Sequence, residues 1–241
     1  MVSKTARKKT GDKSSTQVWD DITLVILAGG ASRRFQGKQK ALIDLGGTTV
    51  IESILNELGN SFKHIYISVK NDEQERALRA IKTSFNEKIS YLKDLAQFPG
   101  GMRDDAAIFG IYSSLSEVSE PYAFVISCDM PFVTRDIVSL LAQHVSTHPD
   151  AIVPRWENGY LEPMLAIYQA AAARSIIEKH ILQRQYQLIG IFKDLKNIVH
   201  VPIESIKEVD PNLSCVVNIN TERDLEAARE IFKTRLKKAT P

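Results

Sequence analysis

Hydrophobic positions along this chain follow two alternating patterns. Ile22-Thr23-Leu24-Val25-Ile26-Leu27 is a short β-branched apolar run that ends in Ala28-Gly29-Gly30, the form of a buried strand followed by a turn. His64-Ile65-Tyr66-Ile67-Ser68-Val69 and Tyr122-Ala123-Phe124-Val125-Ile126-Ser127 repeat it. Ile89-Ser90-Tyr91-Leu92, Ala151-Ile152-Val153-Pro154 and Val199-His200-Val201-Pro202 are shorter versions. Between the runs, Val50, Ile51, Ile54, Leu55 and Leu58 form one stripe at helical spacing, and Ile137, Leu140, Leu141 and Val145 form another. Apolar strands alternating with amphipathic helices predict an α/β fold: a mostly parallel sheet covered by helices on both faces, with ligands bound beyond the carboxyl ends of the strands.

The ends of the chain depart from this texture. Residues 1–19 are polar and basic with little to bury, and are expected to form a disordered tail. Residues 20–232 are expected to form a single domain, closed by a charged amphipathic helix from Asp224 to Lys233, and 233–241 to fray as a C-terminal tail. At 241 residues with a net charge of +2, the chain is long enough for one large domain and lacks the overall basicity of a nucleic-acid binder. Cys128 and Cys215 stand far apart without a CxxC companion, which suggests neither zinc nor a disulfide framework. With no apolar h-region after the basic start and no apolar stretch of about 18 residues, the expectation is a soluble, cytoplasmic protein with no nucleic-acid and no membrane partner.

Chemistry concentrates just after the first strand. The segment from Leu27 to Leu42 carries the adjacent Gly29 and Gly30, then Arg33, Arg34, Gly37, Lys38 and Lys40. Glycines let a backbone turn its N–H groups toward phosphate oxygens, and Arg and Lys neutralise the charge that a pyrophosphate leaving group develops. The spacing is neither GxxxxGK[ST] nor GxGxxG. A glycine turn with solvated cations is the plain alternative. Further on, Asp129 follows the strand run Tyr122–Ser127 and precedes Pro131, which places a carboxylate at a strand's carboxyl end. Mg2+ takes one or two such carboxylates plus phosphate oxygens, so Asp129 is the candidate metal ligand. A turn or capping aspartate ahead of the helix near Thr134 is the alternative. Thr221 and Asp224 have the spacing of a variant capping box.

Leu27, Ala28, Gly29, Gly30, Ser32, Arg33, Arg34, Gly37, Lys40 and Leu42 resemble the signature of the molybdenum cofactor guanylyltransferases and their nucleotidyltransferase relatives: LAGG, a Ser/Thr-x-Arg, then a glycine and a Lys before a small residue and Leu. Cys128-Asp129-Met130-Pro131 resembles the family's Cys-Asp-x-Pro segment, and Asn218-Ile219-Asn220-Thr221-Glu222-Arg223-Asp224-Leu225 its Asn-x-Asn-Thr-x-x-Asp-Leu segment. The resemblance covers roughly residues 22–230. It departs at Gln39, where the family often has Asp, and at 99–111, where only Gly110 and Ile111 align with the family's compact glycine loop.

The resemblance implies a three-layer, Rossmann-like nucleotidyltransferase fold with a mostly parallel, mixed sheet. It implies transfer of GMP from GTP to molybdopterin with release of pyrophosphate, and Mg2+ as cofactor. Catalytic roles fall to Arg34, Lys40 and Asp129. Nucleotide contacts fall to Leu27, Ala28, Gly29, Gly30, Ser32, Arg33, Lys40, Ser68, Asp94, Gly110 and Asp129, with Asp94 suited to guanine because a carboxylate accepts from N1–H and the exocyclic amine together. Glu162, Asn218 and Asn220 are candidate acceptor or metal-phosphate contacts. The partners implied are GTP, molybdopterin or its molybdenum form, and other cofactor-biosynthesis or molybdoenzyme-maturation proteins. Cytidylyl transfer to molybdopterin, nucleotidyl transfer to another phosphorylated metabolite, and a non-catalytic nucleotide-binding adaptor are the rivals.

Overall fold

The structure, a computed structural model, describes residues 18–29, 39–93 and 106–239. Seven strands form one mixed sheet in the order β3-β2-β1-β4-β6-β5-β7. β1 (Ile22–Leu27), β2 (Ile65–Val69), β3 (Ile89–Lys93) and β4 (Tyr122–Ser127) run parallel. β6 (Leu165–Gln169) is antiparallel to both β4 and β5 (Ala151–Arg155), and β7 (Ile198–Pro202) is parallel to β5. The mostly parallel, mixed sheet is the one expected.

Alternation along β1 divides the core. Leu24 and Ile26 pack into one apolar cluster with α1 (Val50–Leu58), α4 (Arg135–Ala142), α6 (Ile203–Val209) and the start of α7 (Glu222–Ala239), whereas Val25 and Leu27 pack into another with α3 (Ala107–Glu117) and α5 (Ala170–Leu182). Three layers follow, since a strand covered on both faces must be apolar at every position. Each fully buried Leu or Ile contributes about 1.5–3 kcal/mol. Short α2 (Asp72–Arg79) covers the β2–β3 side, with Leu78 buried. At the start of α1, the Thr49 hydroxyl accepts from the Glu52 N–H while the Glu52 carboxylate accepts from the Thr49 N–H, a complete capping box.

Besides α2, α3, α5 and α6, which the apolar stripes do not single out, the structure adds to the expectation in three places. Trp19, assigned to the tail, is buried: its N–H donates to the Ser61 carbonyl (2.9 Å) and its ring lies 5.1 Å from that of Phe62. The remainder of the expected tail, 1–17, lies outside the described residues. Strand β6 has no counterpart in the sequence reading, because Gln169 both ends the strand and caps α5 through its side chain, leaving no turn between them. α7 continues to Ala239, past Lys233 where the reading ends it. Arg235, seated over the Phe132 ring at 5.0 Å and donating to the Phe132 carbonyl (3.2 Å), ties its later turns to the domain.

At the amino edge of the sheet, the Glu120 carboxylate accepts from the Thr23 hydroxyl, pairs with the His64 ring and accepts from the Ser119 hydroxyl (3.0 Å).

Candidate active site

The carboxyl ends of β1, β2 and β4 are laced together by backbone. The Ala28 N–H donates to the Ser68 carbonyl (2.9 Å), the Cys128 N–H to the Leu27 carbonyl (3.0 Å) and the Met130 N–H to the Ser127 carbonyl (3.2 Å). The residue after β1 and the residues after β4 therefore share one edge, with Gly29 next in line. Gln74, on α2, fixes this edge from the side: its amide nitrogen donates to the Ala28 carbonyl (2.5 Å) and its amide oxygen accepts from the Lys70 N–H (2.7 Å). Nothing in the strongly polar run Asp72–Arg79 marks Gln74 as buried, and sequence reasoning missed it.

Three side chains meet here. Lys40, in the short 3-10 turn Lys40–Leu42, donates from Nζ to Asp129 Oδ2 at 2.8 Å and to Asn220 Oδ1 at 2.7 Å. Asn220 is held by its neighbours: its own N–H (2.9 Å) and that of Thr221 (2.8 Å) donate to Asp224 Oδ2, and the Asp224 N–H donates back to the Thr221 hydroxyl (3.2 Å). The expected capping box is formed. The Ile219 N–H donates to the Asp129 carbonyl (3.0 Å), tying that loop to the end of β4.

Polar satisfaction at this edge is incomplete. Among the described residues neither Asp129 Oδ1 nor Gln39 Oε1, both buried, has a hydrogen-bond partner. Leaving a buried charged oxygen unpaired is costly, so a native structure that keeps one has a reason for it. An anionic oxygen with a free lone pair suits a hard divalent cation. Among the described residues no cluster of three or more His, Cys, Asp or Glu is poised to hold a metal, and Asp129 is the carboxylate that offers a free oxygen at this edge. The adjoining Cys128 thiol is pushed up to about 12 by burial and then by the Asp129 charge, which leaves it protonated and no nucleophile at neutral pH.

Other expected site residues are placed less tightly. Ser68 is buried at the end of β2, beside β1. Gly110 is buried in α3, where its carbonyl accepts from the Ser114 hydroxyl (2.8 Å). Asn218 donates from its side chain to the Val216 carbonyl (3.1 Å), a local turn contact. Glu162 lies in the connection from β5 to β6. Because Leu165 pairs with Ile126, that connection reaches the same sheet edge as Asp129. The Trp156 indole N–H donates to Glu162 Oε1 (2.7 Å), and burial raises the Glu162 carboxyl above its usual range in spite of that bond. Gly30, Ser32, Arg33, Arg34 and Asp94 lie outside the described residues.

The model of the MobA-like NTP transferase domain matches residues 24–195. The chain belongs to that family. This MobA-like chain is accordingly a nucleotidyltransferase. It is 32% identical over 220 residues to a probable molybdenum cofactor guanylyltransferase of Methanosarcina mazei, covering 91% of this chain and 94% of the relative. To the molybdenum cofactor guanylyltransferase of Desulfosudis oleivorans it is 28% identical, over 89% and 97% of the two chains. In structure it is similar to molybdopterin-guanine dinucleotide biosynthesis protein A from Archaeoglobus fulgidus, with a TM-score of 0.71 and 29% identity over 88% of this chain and 99% of that one. A 4-diphosphocytidyl-2C-methyl-D-erythritol synthase from Anaerococcus prevotii shares the fold at a TM-score of 0.61 and 14% identity. In the MobA-like chain, Asn220 and its capping box lie beyond the matched 24–195, yet they close the site onto Lys40. Among the described residues no helix is long and apolar enough to cross a membrane.

Proposed function

We propose that this chain transfers the GMP unit of GTP to the phosphate of molybdopterin, releasing pyrophosphate and giving the guanine dinucleotide form. The observation that carries the reading is the convergence of Lys40, Asp129 and Asn220 at the carboxyl edge of the sheet, with one buried Asp129 oxygen unpartnered among the described residues. The names of the relatives supply the base and the acceptor.

In this reading an oxygen of the acceptor phosphate attacks the α-phosphorus of GTP in line, a new P–O–P linkage forms, and the bond to the β-phosphate breaks with its electrons leaving on pyrophosphate. The attacking phosphate is already ionised at neutral pH, so no general base is required. Asp129 would hold Mg2+, which supplies charge neutralisation on the triphosphate when bound. Lys40, with Arg34, neutralises the departing pyrophosphate. The backbone at Leu27, Ala28 and Gly29, with Gly30, Ser32 and Arg33, cradles the phosphates. Asp94 and Ser68 would recognise the base, Gly110 in the first turn of α3 would approach the nucleotide, and Glu162, Asn218 and Asn220 would serve the acceptor side. A cytoplasmic setting goes with this reading, because GTP is a cytoplasmic substrate.

The test pairs binding with turnover. With Mg2+, saturating GTP is expected to raise the melting temperature by about 5 °C or more, CTP is expected to raise it less, and GTP with molybdopterin is expected to release pyrophosphate. Stabilisation by CTP in place of GTP would overturn the guanylyl assignment. Triphosphate binding without pyrophosphate release from any acceptor would favour a non-catalytic adaptor.

A further inference from the structure

Lys40 has a second job that phosphate neutralisation does not describe. Its ammonium already sits on the carboxylate that the proposed reaction needs for its cation, at 2.8 Å from Asp129 Oδ2, with the two side chains only 21% and 13% exposed. The other carboxylate oxygen, Oδ1, is buried with no hydrogen-bond partner among the described residues. An ammonium on Oδ2 and a divalent cation on Oδ1 would share one carboxylate, and in a partly dehydrated site like charges a few ångströms apart repel strongly. Both cations cannot stay on Asp129 without cost. Asn220 offers the ammonium a neutral acceptor immediately alongside, at 2.7 Å, and that acceptor is fixed independently of Lys40 by the Asp224 capping box and by the Ile219–Asp129 backbone bond.

We propose that Lys40 is the resident counter-ion of the metal carboxylate: it holds Asp129 while the site is empty, and releases that carboxylate to a divalent cation only when a triphosphate arrives to take the ammonium, with Asn220 retaining Lys40 throughout. The inference rests on the nucleotidyl-transfer reading of this same site. Its consequence is thermodynamic. Metal and triphosphate favour each other's binding, and by linkage each raises the other's affinity by the same factor. A divalent cation alone competes against a cation the chain already carries.

The full-length chain, freed of nucleotide and confirmed as folded by circular dichroism, can be titrated with Mn2+ while free Mn2+ is followed by electron paramagnetic resonance. Lys40→Gln keeps a hydrogen-bonding side chain but removes the charge, and is expected to bind Mn2+ at least about tenfold more tightly than the unsubstituted chain. Lys40→Met, which also removes the hydrogen bonds, is expected to shift affinity in the same direction. Adding Asp129→Asn to Lys40→Gln is expected to erase the gain. A non-hydrolysable GTP analogue is expected to tighten Mn2+ binding more in the unsubstituted chain than in Lys40→Gln. A Lys40→Gln chain that binds Mn2+ no more tightly than the unsubstituted one, or a gain that survives Asp129→Asn, overturns the proposal. No turnover is involved, so failure here leaves GMP transfer standing, and the two failures are read from different measurements.

Discussion

The two edges of the sheet carry the same chemistry, a carboxylate next to β4, and treat it in opposite ways. At the amino edge Glu120 is surrounded by donors: the Thr23 hydroxyl, the His64 ring and the Ser119 hydroxyl all reach it. Burial alone would push this carboxyl up, but those hydrogen bonds outweigh it and hold the group down at about 2. At the carboxyl edge Asp129 has, among the described residues, a single ammonium on one oxygen and no hydrogen-bond partner on the other. Among the described residues it is the only carboxylate with a buried oxygen left unpartnered. One carboxylate is satisfied from within the chain and serves stability. The other is left incomplete, as a group is when something from outside completes it.

The largest expected effect breaks the comparison at the incomplete end. Asp129→Asn keeps the shape and removes the charge, so pyrophosphate release is expected to fall by about 10²–10³-fold, the range seen when one electrostatic contact to a transition state is lost. The folded state should survive, since the asparagine amide oxygen can still accept from Lys40 and Asn220 continues to accept from the same ammonium. Near-normal turnover by a folded Asp129→Asn chain would remove Asp129 from the chemistry.

Glu120→Gln is the mirror experiment. Turnover is expected to hold while unfolding free energy at neutral pH drops by about 2 kcal/mol, a figure kept below the full shift because His64 is open to solvent and screened. The sign follows from the depressed carboxyl. Its folded value of about 2 lies under the ordinary 4.5, so the contribution is present above about 4.5 and fades as pH falls from there toward 2. Denaturant melts between pH 7 and pH 2.5 should therefore converge for the two chains at the acid end. A constant gap across that range would show that Glu120 acts through packing instead of charge.

How much of this was legible beforehand depended on whether the signal was local. β1 and β4 coincide with their apolar runs residue for residue, because central parallel strands are buried on both faces and read as unbroken apolar stretches. The Thr221–Asp224 box was equally legible, being set by a spacing of three. β6 was not, because it passes into α5 without turn residues, and neither was Trp19, a single aromatic at the end of a polar stretch. In the site, Lys40, Asp129 and Asn220 could each be singled out from their own segments. That Lys40 bonds Asn220, 180 positions away, could not, since only the tertiary fold decides that contact. The two unpartnered oxygens were beyond sequence for the same reason: the absence of a partner is a property of the whole packed neighbourhood.

A smaller effect sharpens the comparison by asking whether strain away from both edges is also held for function. Past the end of α5, Arg184 adopts a left-handed backbone with φ of 58°, while its N–H donates to the Ile181 carbonyl (2.9 Å) and the Gln185 N–H to the His180 carbonyl (2.8 Å). That pair of bonds is the helix-ending arrangement in which glycine is favoured, because any side chain is strained there. Arg184 also lines an open cavity of about 550 Å3 together with His180, Tyr186 and Lys193. Arg184→Gly is expected to stabilise the chain by about 0.5 kcal/mol, the relief of backbone strain less the added freedom of the unfolded state. Turnover is expected to stay unchanged if ligand-directed structure is confined to the Asp129 edge. A stabilised Arg184→Gly chain that loses turnover would extend the functional surface to the α5 cavity and end the two-edge division, because arginine would then be kept at a strained position for what it binds.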